Sequence, residues 1–262
     1  MMSVFIGRFH PVFVHLPIGI LLFAALLFFA ISMVKIEWSN AIENTPKMGT
    51  VLRQMFPPGT GGESSLMIKG LVESLAIAIV STFLGVLVAL PLGVLMARNI
   101  NVRRFLSFGT RIGVLGLRGI PELIIAVIFV SAMGLGPVPG TLALSVTVAV
   151  FASKLFADSL EEINPAPREA VSAVGASKVQ EFFSAVVPQF ISPFVSNFFY
   201  LLDVFFRSST VLGIVGGGGI GYLLISSIRV YQFKLTMAIV ISVYLIVLVI
   251  EWLGLGMRRL FK

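Results

Sequence analysis

Six stretches of the chain carry an apolar pattern of the length a bilayer span requires, roughly 20 mainly apolar residues. They run from about Val12 to Val34, Leu71 to Met96, Ile112 to Met133, Thr141 to Ala157, Phe190 to Phe206 and Leu235 to Leu255. A Gly-rich apolar stretch, Val211 to Ile228, is too broken for a simple span. The pattern predicts an all-α fold, a polytopic membrane helix bundle of about six transmembrane helices. The first apolar run exceeds the ~7–15 residues of a signal-peptide core and is followed by no small-x-small cleavage site before Trp38, so it is expected to be retained.

Two polar intervals are long. Lys35 to Gly70 is predicted to be an external loop and contains Pro57-Pro58-Gly59-Thr60-Gly61-Gly62, which is turn-rich without helical period. Asp158 to Pro188 is predicted to be a cytoplasmic loop. The expected organisation is an amino-terminal helix over 1–35, an external loop over 36–70 and one membrane domain over 71–262, with the cytoplasmic loop at 158–188.

Composition supports the membrane class. Of 262 residues, 57% are hydrophobic and 12% charged, where a soluble domain carries about a quarter charged. With no cysteine, disulfides, thiolate metal sites and cysteine nucleophiles are excluded. The two histidines, His10 and His15, lie near the start, which excludes a His-based triad elsewhere. The net charge of +7 comes from basic clusters beside apolar runs. These point to membrane orientation rather than nucleic acid. With both termini cytoplasmic, Arg8, Arg98, Arg103, Arg104, Arg111, Lys154, Arg168, Lys178, Arg258, Arg259 and Lys262 fall inside. Lys35, Lys47, Arg53, Lys69, Arg229 and Lys234 fall outside. That bias predicts a multi-pass protein of the bacterial cytoplasmic membrane with both termini inside.

The interval Asn164 to Pro188 reads as two short helices with a sharp break. Asn164 is placed to cap the first, with Pro165 or Pro167 in its first turn. Gly175 is placed as a left-handed stop. Ser177 and Gln180 have capping-box spacing for the second helix. The first helix would expose Ala166, Ala170, Ala173 and Val174, with Glu169 beside them, a small-faced surface suited to a partner's groove.

No G-x-x-x-x-G-K-[ST] occurs, so no P-loop is expected in this chain. Gly216, Gly218 and Gly221 satisfy G-x-G-x-x-G, but no acid follows until Glu251, against a dinucleotide site. Arg118 and Glu122 are four apart in the third predicted span, hence on one helical face, and Asp203 and Arg207 repeat the spacing in the fifth. Charges at bilayer depth are costly and face a partner or a wet cavity. Each pair either neutralises itself, bracing helices, or lines the route of an anion, for which the planar arginine fork is suited. Gly213, Gly216, Gly217, Gly218, Gly219 and Gly221 follow. They are expected either to pack helices tightly or to form a pliable constriction.

The loop resembles the EAA loop of binding-protein-dependent ABC importers: Glu169, Ala170, Gly175 and Pro188 fall on that pattern, with Val171, Ala185 and Val187 as conservative departures. The resemblance implies a coupling helix, involving Asn164, Pro165, Arg168, Glu169, Ala170, Gly175, Ala176, Ser177 and Pro188, seated in an ATPase cleft. Five further stretches are similar to phosphonate-uptake permeases of the PhnE type. They are Met55 to Pro58, Arg118-Gly119-Ile120-Pro121-Glu122-Leu123, Gly134 to Pro137, Lys154 to Ala157, and Arg207 to Gly221. That resemblance covers about Ile36 to the end. It implies a type I importer permease (MetI-like) fold, in which Arg118, Pro121, Glu122, Asp203, Arg207, Thr210 and the glycines are the candidates for a translocation path or gate. It also implies a homodimer, two ATPase subunits that carry the ATP and Mg, a periplasmic or lipid-anchored binding protein, and no cofactor, metal or catalytic residue in this chain. The solute class would be phosphonate or a phosphite-like oxyanion. Methionine-type permeases share the glycine motif and are the alternative.

Residues Arg8 to Gly19 are similar instead to the opening of another group of bacterial membrane proteins, some found near haem proteins. A haem-linked redox protein using His10 and His15 is the competing class. Five residues apart, the two histidines point about 140° apart on a helix, a poor geometry for one ion. A self-contained channel or carrier is the third class and leaves the EAA spacing unexplained.

Overall fold

The computed structural model describes residues 11–34, 38–100 and 104–260. The chain divides into two units, Met1–Arg53 and Gln54–Lys262. Of the residues used above to orient the chain, Arg8, Lys35, Arg103 and Lys262 lie outside the described residues.

The first unit holds α1 (Pro11–Val34) and most of α2 (Trp38–Gln54). Helix α2 corrects the sequence expectation of a loop from 36 to 70. Its apolar positions recur at helical spacing, but Pro46 and Gly49 interrupt it and conceal the period.

The second unit is a bundle whose axis is the packing of α3 (Ser64–Met96) on α6 (Pro137–Glu161). Small residues let the two backbones approach. A Cβ on Gly85 would stand 2.4 Å from that of Val148, and one on Gly93 would stand 2.9 Å from that of Phe156. Without a hydrophobic driving force between helices in lipid, such close van der Waals contact is what holds them. Ile77, Val86, Ala89, Leu144, Val148 and Phe156 form the core with Leu201 and Phe205 of α9 (Val187–Leu212).

The third predicted span is not one helix. It is α4 (Arg104–Arg118) and α5 (Glu122–Met133), bent by 79°. Pro121 cannot donate the helical hydrogen bond, and it turns Ile120 away from the helical region. The interval between α6 and α9 carries α7 (Ala166–Ala173), α8 (Lys178–Glu181) and a π-helical turn, Phe182–Val186, that runs into α9. After α9 come a 3-10 turn at Gly213–Val215, α10 (Ile220–Arg229) and α11 (Phe233–Leu260).

Among the described residues, four helices are long and apolar enough to cross a membrane: α3, α6, the continuous Lys178–Val215 and α11. The bent α4–α5 pair makes five. Gly19–Val34 of α1 adds a shorter apolar stretch. Two end clusters give the bundle its ends. Leu71, Ile220, Leu235 and Ile239 gather where α3, α10 and α11 begin. Ala97, Leu160 and Val186 gather at the loop end.

Candidate functional site

The interval from Asn164 to Pro188 folds through local rules. The Asn164 side-chain oxygen accepts the Ala166 N–H at 3.0 Å, and Glu169 N–H donates to the Pro165 carbonyl at 3.0 Å, which starts α7. Pro165 and Pro167 both stand at its opening, where a missing N–H costs nothing. Gly175 has φ +83°, the left-handed region open to glycine, and its N–H closes on Ser172 at 3.0 Å. Ser177 N–H donates to Gln180 Oε1 at 2.9 Å while Gln180 N–H donates to Ser177 Oγ at 3.4 Å, so both halves of the capping box are present. No residue of α7 is buried; Ala166, Glu169, Ala170 and Ala173 are all exposed, and Val174 is 84% exposed.

What holds this element is Arg168. It donates to Glu181 Oε1 through Nε and to the Asn99 carbonyl through Nη1. Lys178 Nζ reaches the other Glu181 oxygen at 2.9 Å. Hydrogen bonds from Arg168, then Lys178, hold the Glu181 carboxyl below its ordinary range. The continuous helix from Lys178 to Val215 has 38 residues, about 57 Å, well beyond the ~30 Å of a bilayer core, and its polar end with Glu181 projects from the span. Asn164 is also tied to α9. Its N–H donates to Gln189 Oε1 at 3.1 Å, and Gln189 Nε2 donates back to its carbonyl at 3.3 Å. Pro188 sits in the first turn of α9. Nearby, Arg111 Nη2 meets Glu161 Oε1 at 2.5 Å, and the same oxygen accepts the Arg98 N–H at 2.7 Å.

Arg118 and Glu122 do not share a helical face, contrary to the sequence expectation. The first ends α4, the second opens α5, and no ion pair joins them because the helix breaks at Gly119, Ile120 and Pro121. The Arg118 guanidinium lies 4.9 Å from the centre of the Phe151 ring, within cation–π range. Phe151 is ten residues from the Glu161 end of α6 and 14 from Pro137, about 15 and 21 Å along the axis, so the break lies beside the middle of α6. Arg118, Pro121, Glu122, Thr147 and Phe151 line a cavity of about 320 Å³. A cavity of about 620 Å³ between α3, α6 and α9 is lined by apolar residues such as Leu90, Phe156 and Phe190. None of the predicted site residues lines it.

The second predicted pair is present: Arg207 Nη2 donates to Asp203 Oδ2. The other oxygen, Oδ1, is buried without a hydrogen-bond partner among the described residues. Thr210 Oγ1 donates to the Arg207 carbonyl at 2.7 Å. Of the glycines that follow, Gly213, Gly217 and Gly221 make close backbone contacts. A Cβ on Gly213 would stand 2.6 Å from Gly221 Cα, and one on Gly140 would stand 2.1 Å from the Gly217 carbonyl oxygen. Gly216, Gly218 and Gly219 have φ of +84°, +83° and +77°, and Gly136 N–H donates to the Gly216 carbonyl at 2.9 Å.

Sequence reasoning missed the partners of this turn. Glu73 Oε1 accepts the Gly219 N–H at 3.0 Å, and Ser74 Oγ accepts the Ile220 N–H at 2.9 Å. Two side chains of α3 thereby cap α10 from 146 positions away. No local sequence signal marks that pairing. Of the amino-terminal histidines, His10 and the His15 side chain lie outside the described residues. Among the described residues no cluster of three His, Asp or Glu side chains could hold a metal ion.

Comparison with known proteins agrees with this geometry. The family model described as binding-protein-dependent transport system inner membrane component matches residues 89–261. The phosphate-import permease protein PhnE of Mycolicibacterium smegmatis is 43% identical over 209 residues, 80% of this chain and 39% of that protein. The phosphite transport system permease protein PtxC of Stutzerimonas stutzeri is 33% identical over 227 residues, 87% of this chain and 82% of that protein. The chain therefore spans 39% of the length of the first relative and most of the second. In fold it is similar to a chain of the MetNI methionine ABC transporter in inward-facing conformations. The TM-score is 0.73 at 24% identity, over 78% of this chain and 100% of that one. A bundle of apolar helices that matches the family model over residues 89–261 belongs to the family of binding-protein-dependent transport system inner membrane components.

Proposed function

We propose that this chain is the permease subunit of an ATP-driven importer for a small phosphorus oxyanion, phosphonate or phosphite-like, working as a homodimer. Its partners are two ATPase subunits, which carry the ATP, the Mg and the hydrolysis, and an external binding protein that delivers the solute. Both termini face the cytoplasm. Support for the solute class comes from relatives named for phosphate and phosphite import.

The observation that carries the reading is the exposed helix α7, held by Arg168 to Asn99 and to Glu181. A short helix with an exposed small-residue face fits a groove on a partner. Its ties to the α3–α4 connection and to the root of α9 give it a route for force into the bundle. In this reading Asn164 to Pro188 is the coupling element. Closure of the ATPases displaces it, and the spans move as rigid bodies. Arg118, Pro121 and Glu122 at the α4–α5 break, and Asp203, Arg207, Thr210 and the glycine turn above them, lie along the solute's route. A charged group at bilayer depth is costly unless it faces a wet cavity or a partner.

The test is co-purification of the tagged chain with its genomic neighbours, repeated with Glu169→Ala and Gly175→Val together. An ATPase that comes down with the wild type and is lost from the double variant supports the reading, and ³¹P-based uptake of phosphonate and phosphite then identifies the solute. Recovery of no ATPase, with a coloured haem protein instead, would overturn it.

A further inference from the structure

Helix α2 takes no part in the coupling element or the solute route. Its 17 residues, about 25 Å, set apolar and charged side chains on different sides, with Asn44 and Thr45 as the polar members of the apolar side. At 100° per residue Ile42, Met48 and Leu52 fall within about 120° of one another, and Val51 extends that arc. Glu43, Lys47, Thr50 and Gln54 fall within about 60° on the other side. The apolar arc is uncovered: Ile42, Met48 and Leu52 are 71, 67 and 57% exposed.

Chain connectivity says what covers it. The apolar helix α1 ends at Val34 and α2 begins at Trp38; the three intervening residues reach at most about 14 Å. At its other end, nine residues separate Gln54 from Ser64, where α3 enters the membrane. With α1 taken as a span, as its apolar run predicts, successive spans alternate in direction, so the chain leaves α1 and enters α3 on the same face of the bilayer. A helix tethered at both ends to one face, with an apolar arc on one side and charges on the other, has the character of an in-plane interfacial helix. We infer that α2 lies in the bilayer interface, with Ile42, Met48, Val51 and Leu52 in the acyl region and Glu43 and Lys47 in water. Arg53 falls at the edge of the arc, beside Ile42 on the helical projection, where its stem can lie along apolar surface while its head meets a lipid phosphate. The partner of this surface is lipid.

The chain has no cysteine, so single nitroxide labels report one site each. The full chain is reconstituted in nanodiscs of phosphatidylethanolamine and phosphatidylglycerol, labelled at Ile42→Cys, Met48→Cys or Leu52→Cys, and at Glu43→Cys, Lys47→Cys or Thr50→Cys. Collision with oxygen, which partitions into lipid, is compared with collision with a water-soluble nickel chelate. The expected result is an oxygen-to-nickel accessibility ratio several-fold higher at the first three sites than at the second three. Equal nickel access on both faces would overturn the inference in favour of a helix standing free in water. Immobile labels at 42, 48 and 52 that reach neither reagent would overturn it in favour of a protein partner.

Discussion

A Cβ added to Gly221 would stand 1.8 Å from the carbonyl oxygen of Thr210. Helix α10 therefore docks on α9 without an intervening side chain, and the glycine-rich segment is a close-packed joint as well as a turn. Gly213, in the 3-10 turn that follows α9, faces the same contact from the other side.

Gly221→Ala is expected to destabilise the protein by about 1–3 kcal/mol, the usual range for overpacking a tight contact. Gly256→Ala is the control. That position lies in α11 with nothing within 4 Å of an added Cβ, so alanine there is expected to be neutral or to stabilise slightly. Thermal unfolding in detergent compares them, and a G221A variant as stable as G256A contradicts the backbone-to-backbone joint.

The two pairs at four-residue spacing should behave differently. Asp203 and Arg207 are bonded on one helix, while Arg118 and Glu122 are separated by the break. A double-mutant cycle of stabilities with D203N and R207Q should show a coupling above about 0.5 kcal/mol. The same cycle with R118Q and E122Q should be additive within that margin. Strong coupling at 118–122 would mean that the third span closes into one helix in the membrane.

Glu181 ties α7 to the start of the long helix, and its carboxyl is held below the ordinary value of 4.5 by Arg168 and Lys178. A carboxylate with a depressed folded-state pKa contributes stability above its unfolded pKa, and that contribution is lost as pH falls through the lower folded value. The stability difference between wild type and Glu181→Gln should thus be level near neutrality and shrink once the pH falls below about 4.5. Melting curves in detergent across that range check it; a difference that persists unchanged far below would rule out the charged brace.

What could be read in advance was local. Gly175 and the Ser177–Gln180 box are fixed by residues within a few positions of one another, and both take the expected geometry. The six apolar runs likewise reported helices. Reading failed where a local breaker opposed a strong pattern. Pro121 split an apolar run of span length that already carried Arg118 and Glu122, and Pro46 with Gly49 hid the amphipathic period of α2. It failed again where contacts join distant parts of the chain. Glu73 and Ser74 cap α10 across 146 residues, and nothing in their neighbourhood announces that partner. The roles of Arg168 and Gln189 were hidden in the same way: each bonds backbone groups whose identity does not register in sequence.

The helix from Lys178 to Val215 begins at the Arg168 brace and ends at the glycine joint. It is about 57 Å long. A tilt of about 5° about one end displaces the other by about 5 Å, close to the rise of one helical turn. In the proposed importer, a shift of about one helical turn at the glycine joint therefore needs only a slight rocking of this helix about the Arg168 brace.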